Sequence, residues 1–265
     1  MAEGLLALWR RLGRGEKVCL GVLLAALAAW TLMSRIAQDP AYHGFADQRS
    51  WLGIPHAANV LSNLAFLAVG AAGIGGLASP RRTRFANATE AALWCIALGF
   101  VATSIGSAWY HLAPNNATLV WDRLPMTLIF AGLLSTAIAQ RTSAKLGVVA
   151  LAALLPLGIA SVLYWHVTGD LSLYVILQFG GIVALVMLLV LTQRGDDPFG
   201  WWWILAWYAL AKIAEAGDQL IWNATGGLVA GHALKHLLAA LAGVAVFLPL
   251  FSKASMLRSE PLLRT

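Results

Sequence analysis

Three histidines, a carboxylate and a hydroxyl are the residues of this sequence whose types and spacing could do chemistry. His232 and His236 lie four residues apart near the start of the last apolar segment, so on a helix both imidazoles project from one face. His111 ends an earlier apolar segment, and Ser107 lies one helical turn before it. Asp122 opens the next apolar segment. Three imidazoles with an open fourth position are typical of a catalytic zinc site.

We therefore predict that His111, His232 and His236 bind Zn²⁺ and that Ser107 and Asp122 act on a water molecule. Bound zinc lowers the pKa of water from 15.7 to about 7. Asp122 could take the remaining proton and pass it to a leaving amine. Ser107 could hold the water or stabilise the developing oxyanion. The predicted reaction is hydrolysis of a lipid amide or ester. The residues do not distinguish an amide from an ester, because hydrolysis of either passes through a tetrahedral oxyanion.

The composition places these residues in a membrane protein. Of the 265 residues, 60% are apolar and 11% are charged, and the mean hydropathy is +0.74. A soluble domain carries about 25% charged residues. The net charge of +6 does not indicate nucleic-acid binding, because the basic residues fall in short loops between apolar runs. Cys19 and Cys95 lie inside apolar segments, which indicates neither a disulfide framework nor a thiolate metal site.

The apolar runs are long and continuous, as spanning helices require, and do not alternate as the strands of a membrane barrel do. Those long enough to span are 18–36, 56–79, 88–111, 118–140, 144–165, 171–193, 200–220 and 228–251. The predicted fold is an all-α membrane protein, a seven-transmembrane-helix bundle preceded by one additional N-terminal transmembrane helix. The first segment also follows a basic stretch, as a signal peptide would, but the absence of a clear cleavage site favours a retained helix.

The expected organisation has three parts. Residues 1–55 form a cytoplasmic N-terminus, the extra helix and an outer loop, 56–251 form the seven-helix core, and 252–265 form a cytoplasmic tail. Lysines and arginines set the orientation, since they gather in cytoplasmic loops. One set of segment ends carries Arg10, Arg11, Arg14, Lys17, Arg81, Arg82, Arg84, Arg141, Lys145, Arg194, Lys253, Arg258 and Arg264. The opposite loops carry only Arg35 and Arg49, so both termini are predicted to be cytoplasmic and all five candidate residues to face the outer leaflet.

In these motifs the chain resembles the alkaline ceramidase family, within a superfamily of seven-span hydrolases that includes the progestin and adipoQ receptors. The matching elements are Ser-Asn-Leu at 62–64, S-x-x-x-H at 107–111, the aspartate eleven residues later at 122, and H-x-x-x-H at 232–236. Asp218, upstream of the final pair, also fits. The resemblance covers roughly residues 56 to 251.

The resemblance implies a seven-helix core that holds zinc through the three histidines and cleaves the ceramide amide bond to a sphingoid base and a fatty acid. Asn63 would be a supporting polar residue. Two positions depart from the family pattern. His56 stands where an acidic calcium-binding residue is expected, so the resemblance does not support a calcium site. Lys235 stands where an aromatic residue is familiar, and a cation there would favour an anionic substrate head or a carboxylate product.

The expected protein is a bacterial inner-membrane hydrolase whose lipid substrate enters sideways from the membrane. Two other functions stay open: a receptor or regulator with a structural zinc site, and a haem-binding protein with bis-His ligation. A retinal Schiff base on Lys212 or Lys235 would leave the clustered histidines without a role. Purely structural interpretations also exist, namely an Asp122–Arg123 ion pair and polar packing of single residues. Lys212, Glu215 and Asp218 have the spacing of a self-neutralising stripe on one helix.

Overall fold

The structure, a computed structural model, describes residues 9–80, 82–192 and 197–251, and most of these residues are helical. The helices are α1 (Arg14–Leu32), α2 (Ala57–Ser62), α3 (Leu64–Ala78), α4 (Asn87–Leu112), α5 (Asn116–Arg141), α6 (Ala144–Thr168), α7 (Ser172–Leu191), α8 (Trp201–Ala216), α9 (Asp218–Ala224) and α10 (Gly231–Phe247). Short 3₁₀ turns occur at Pro40–His43 and Leu248–Phe251. Within the described ranges there is no β-strand, only one isolated bridge between Trp51 and Ile54.

Seven helical stretches of the described chain are long and apolar enough to cross a bilayer. They are Arg14–Leu32, Ala57–Ala78, Asn87–Leu112, Asn116–Arg141, Ala144–Thr168, Ser172–Leu191 and Gly231–Phe251. The remaining predicted segment, 200–220, forms α8, which has 16 residues and is followed after Gly217 by α9. Large apolar side chains such as Leu24, Leu163 and Val190 are exposed on these helices, as lipid-facing residues are. The predicted all-α membrane fold is confirmed.

The chain divides into two compact units. The first comprises Met1–Asp39, Ala86–Cys95 and Thr127–Asp196. In it α7 packs against both α1 and α6. The loop after α1 is tied to the start of α7, because the Ile36 N–H donates to the Asp170 carboxylate at 3.1 Å and Leu171 N–H donates to the Ile36 carbonyl at 2.8 Å.

The second unit comprises Pro40–Phe85, Ile96–Met126 and Asp197–Thr265. Helix α10 is its centre and packs against α8, α3 and α2. All of the candidate site residues belong to this unit. Glycines on α3 allow the close packing that their positions predict, since a Cβ on Gly73 would lie 2.7 Å from the Phe247 ring and one on Gly70 would lie 2.8 Å from the Val101 nitrogen.

Two further glycines bring the site helices into contact. A Cβ on Gly106 would lie 1.9 Å from the carbonyl oxygen of Trp121, so only glycine allows α4 to approach α5 at this level. A Cβ on Gly231 would lie 2.1 Å from the Ala214 carbonyl oxygen, so the start of α10 rests directly on the end of α8. Gly106 directly precedes Ser107, and Gly231 directly precedes His232. Each close helix contact therefore holds a candidate site residue near the neighbouring helix.

Some of the basic residues that set the predicted orientation lie outside the described residues. They are Arg81, Arg194, Lys253, Arg258 and Arg264, and the predicted tail 252–265 also lies there. The predicted domain boundaries and the sidedness of the site stay predictions.

Candidate metal centre

The three predicted histidine ligands come together in the structure. One ring nitrogen from each of His111, His232 and His236 lies within 4.8 Å of the others. The ring centroids of His111 are 4.9 Å from His232 and 5.1 Å from His236, and the two α10 rings are 5.1 Å apart. All three residues are at most 4% exposed. Nitrogens grouped this closely could hold one metal ion between them.

The hydrogen bonds of His236 leave one ring nitrogen available for a metal. The Ser62 hydroxyl lies 3.0 Å from the Asn59 carbonyl oxygen and 2.7 Å from His236 Nδ1, and we assign its proton to the carbonyl, which makes the hydroxyl an acceptor for the Nδ1 proton of His236. The proton therefore sits on Nδ1, and Nε2 carries the lone pair. A histidine that ligates a metal usually has its other nitrogen fixed in this way.

Buried ring nitrogens without a partner support the same conclusion. His236 Nε2 and both ring nitrogens of His111 are buried and form no hydrogen bond. Such groups cost free energy unless a ligand, an ion or water satisfies them. Imidazole nitrogens are ligands that zinc prefers, and two of the three histidines have such nitrogens without a partner. The residues present thus fit a metal ion.

Asp122 lies beside Ser107 and not among the metal-binding nitrogens. The Ser107 hydroxyl donates a hydrogen bond to the Asp122 carboxylate, and both side chains are buried. This contact follows from the close approach of α4 and α5 at Gly106. Asp122 also interacts electrostatically with Lys235 and Arg123.

The aromatic ring of Phe45 covers the histidine cluster. Its centroid lies 4.5 Å from that of His232 and 4.8 Å from that of His111, and the residue is 4% exposed. The same ring packs edge-on against Tyr110 and His56. The segment Pro40–His56 thus closes the site on this side and excludes water from it.

Asp218 anchors this segment to α10. One carboxylate oxygen accepts from the Ala46 N–H at 2.9 Å, and the other accepts from the His232 N–H at 2.7 Å. Helix α10 has no cap from its own N-cap residue, so Asp218 satisfies one of its unpaired N–H groups from another helix. The expected stripe with Lys212 and Glu215 forms only between those two residues, which make an ion pair.

Replacing Asp218 with alanine is expected to loosen both attachments. Two backbone N–H groups lose their acceptor, and loss of a helix cap alone costs about 1 kcal/mol. The melting temperature in detergent should fall by roughly 2–4 °C or more per kcal/mol lost. Differential scanning fluorimetry measures this fall. Asp218→Asn keeps one acceptor oxygen and should restore part of it, whereas an unchanged melting temperature in Asp218→Ala would contradict the anchoring role.

A charged cluster adjoins the site at His232. The Lys235 ammonium lies 3.0 Å from His232 Nε2 and 3.2 Å from Glu215 Oε1. Glu215 also contacts Lys212 through Oε2 and accepts from the Tyr42 hydroxyl at 3.3 Å. Burial and the nearby Glu215 charge raise the pKa of Tyr42, which keeps its hydroxyl protonated as a donor.

The segment between α1 and α2, where the family would carry an acidic calcium-binding stretch, contains an ion pair between Asp47 and Arg49. The Arg49 side chain donates from Nε to Asp47 Oδ1 at 2.9 Å and from Nη2 to Asp47 Oδ2 at 2.7 Å. The backbone N–H of Arg49 also donates to Asp47 Oδ1, at 3.0 Å. Burial would raise the pKa of Asp47, but these hydrogen bonds hold it below its ordinary value of 3.8. The Asp47 carboxylate is therefore occupied by a guanidinium group. His56 adopts a left-handed conformation with φ of 46°.

Asn63, for which the resemblance implies a supporting role, is buried. Its amide nitrogen donates to the Asn59 carbonyl at 2.8 Å, while its Oδ1 has no partner. The carboxamide of Asn59, which is 0% exposed, is also without a partner. These groups add unsatisfied polar atoms next to the α2 residues that orient His236.

Sequence reasoning found the three histidines and the Ser107–Asp122 pair but missed the residues that orient them. Ser62 was noted only as part of a motif, and Phe45 was not identified as a site residue. The signal for Ser62 was weak because 174 positions separate it from His236. Phe45 carries no polar group, so its residue type does not indicate a place in a metal or catalytic site.

Comparisons of the chain with protein-family models, with curated proteins and with solved structures find no significant match. Membership of the alkaline ceramidase family stays a prediction. The function therefore has to be argued from the site itself.

Proposed function

We propose that this protein is an intramembrane zinc-dependent hydrolase that cleaves an amide bond in a lipid. The observation that carries the proposal is the convergence of three buried imidazoles, with unpaired nitrogens on His111 and His236, beside a buried serine–aspartate pair. A purely structural polar cluster would pair these nitrogens with one another or with the protein. Ceramide-like lipids are the substrates that the sequence resemblance implies, with a sphingoid base and a fatty acid as products.

His111, His232 and His236 would hold the zinc ion, which supplies Lewis acidity when bound. Asp122 accepts a proton from the attacking water as the water oxygen forms a bond to the amide carbonyl carbon. The carbon–nitrogen bond then breaks, and Asp122 returns the proton to the leaving amine. The products are a carboxylic acid and an amine, so atoms and charges balance.

We assign Ser107 to holding Asp122 and the water in position. Its hydroxyl donates its proton to the Asp122 carboxylate, and its lone pairs can accept a hydrogen bond from water.

The proposal includes the sidedness of the site. With both termini in the cytoplasm, the ends of α4 and α10 that carry the histidines lie toward the outer leaflet of a bacterial inner membrane. Substrate would enter from the lipid phase, because the site residues lie at the ends of membrane-spanning helices.

The two alternative functions predict different observations. A bis-His haem needs a flat porphyrin between two opposed imidazoles, whereas here three rings lie about equally far from one another, which favours a small ion. A receptor with a structural zinc site would bind zinc but release no product. Haem would show a Soret absorption band in the purified protein.

The proposal is tested by incubating detergent-purified protein with a panel of lipid amides and esters and measuring free fatty acid by mass spectrometry. We expect fatty-acid release that stops after removal of metal by a chelator and returns when zinc is added. Zinc-loaded protein that releases fatty acid from no member of the panel would refute the hydrolase and favour the receptor.

A further inference from the structure

The charged cluster beside the metal centre is not used by the proposed hydrolysis. Lys212 and Glu215 lie on α8, and Lys235 lies on α10. The side chains of Lys235 and Glu215 are only 16% and 13% exposed, whereas that of Lys212 is 40% exposed. Charged groups buried in a membrane protein are costly and usually functional.

The charges in and around this cluster balance only while no metal ion is bound. The two ammonium groups share a single carboxylate, since Lys235 contacts Oε1 of Glu215 and Lys212 contacts Oε2. Asp122 and Arg123 interact with the cluster and bring one charge of each sign. Asp218, which accepts from the His232 N–H, adds a further carboxylate beside the cluster, so the charges balance before a metal ion binds, and a zinc ion would then add two positive charges. Uncompensated charge in a low-dielectric site is unfavourable, so an anionic ligand is expected there.

Lys235 is the group placed to contact such a ligand. Its ammonium, which can only donate, lies 3.0 Å from His232 Nε2. A metal ion on His232 takes the single lone pair of the neutral ring, so the ammonium then loses this acceptor and can donate to a ligand instead. Glu215 Oε1 accepts from the ammonium at 3.2 Å and from the Tyr42 hydroxyl at 3.3 Å.

We propose that the site selects lipid amides whose head group carries a carboxylate next to the amide nitrogen, as in N-acyl amino acids, and that Lys235 binds this carboxylate. The inference rests on the proposed function for the identity of the scissile amide. In an N-acyl amino acid the carboxylate carbon is two bonds from the amide nitrogen, which suits an ammonium that lies 3.0 Å from the ring of one of the three histidines. A phosphodiester head lies several bonds farther away, and the ceramide head is neutral.

The test compares two ligands that differ only at this position. N-oleoylglycine carries a carboxylate where N-oleoylethanolamine carries a hydroxymethyl group. Binding is measured by calorimetry in detergent on zinc-loaded Asp122→Asn protein, so that turnover does not consume the ligand. A hydrogen bond to a charged group contributes about 1.5–3 kcal/mol, so we expect N-oleoylglycine to bind about tenfold tighter or more.

Substitutions at the lysines identify the residue responsible. In Lys235→Met the preference should fall to about twofold or less, and Lys235→Arg should retain most of it because the charge is kept. Lys212→Met is the matched control, since Lys212 contacts the same carboxylate but not His232. In Lys212→Met the difference in binding free energy between N-oleoylglycine and N-oleoylethanolamine should stay at half of its original value or more.

Equal affinity for the two amides, or a preference that persists in Lys235→Met, would overturn the inference. If Lys235→Met does not elute as a folded protein, Lys235→Gln takes its place in the same comparison. These outcomes are distinct from failure of the hydrolase, because the carboxylate preference is a binding measurement. A protein that prefers N-oleoylglycine but hydrolyses nothing would refute only the proposed reaction.

Discussion

His236→Ala is expected to reduce bound zinc from about one ion per chain to a background level. The variant keeps two imidazoles, and two ligands cannot complete the three-histidine set that a catalytic zinc requires. The loss should be large because His236 is prepared for the metal, with Nδ1 fixed by Ser62 and Nε2 buried without a partner. Elemental mass spectrometry on protein purified without chelator measures the zinc content. Fatty-acid release should disappear with the zinc.

Two comparison variants make the result specific. His166→Ala removes an exposed histidine in the other compact unit and should keep the full zinc content. Ser62→Ala keeps all three imidazoles but frees Nδ1 of His236, and loss of such an orienting partner typically weakens metal binding by about 10–100-fold. Full zinc in His236→Ala would remove the three-histidine site and the reaction that depends on it.

The convergence of the histidines could be predicted because it depends on local spacing and on sidedness. The four-residue interval places His232 and His236 on one face of α10, and the alternation of basic loops places His111 at the same membrane level. The close approach of α4 and α5 was not predicted. Gly106 permits it, but nothing near that glycine indicates that Trp121 packs there.

The residues that orient the histidines could not be predicted, because their contacts are long-range and their types are ambiguous. Asp218 had the spacing to pair with Lys212 and Glu215, yet it accepts from backbone N–H groups of Ala46 and His232. Helix spacing describes neighbours on one helix, whereas α8 ends at Ala216 and Asp218 begins α9. Because the helix is interrupted at Gly217, the Asp218 carboxylate does not join Lys212 and Glu215 on one helix face and instead lies at the start of α10.

Asp122→Asn is expected to lower the turnover number by about 10²–10⁴-fold while zinc is retained, since that is the usual contribution of a general acid–base group. Asparagine has the shape of aspartate and can still accept from Ser107, but it cannot take up the proton of water. Asp122 is not part of the group of metal-binding nitrogens, so the ion should stay bound. Turnover of a lipid amide and zinc content are measured on the same preparation.

Ser107→Ala separates the two members of the pair. It removes the hydrogen bond to Asp122 but leaves the carboxylate, so its loss of turnover should be smaller than that of Asp122→Asn. Two results would contradict this assignment. Loss of zinc together with turnover in Asp122→Asn would mean that the carboxylate supports the metal centre itself. Full turnover with full zinc would leave Asp122 only as an electrostatic partner of Lys235 and Arg123, and another group would then have to accept the proton of water.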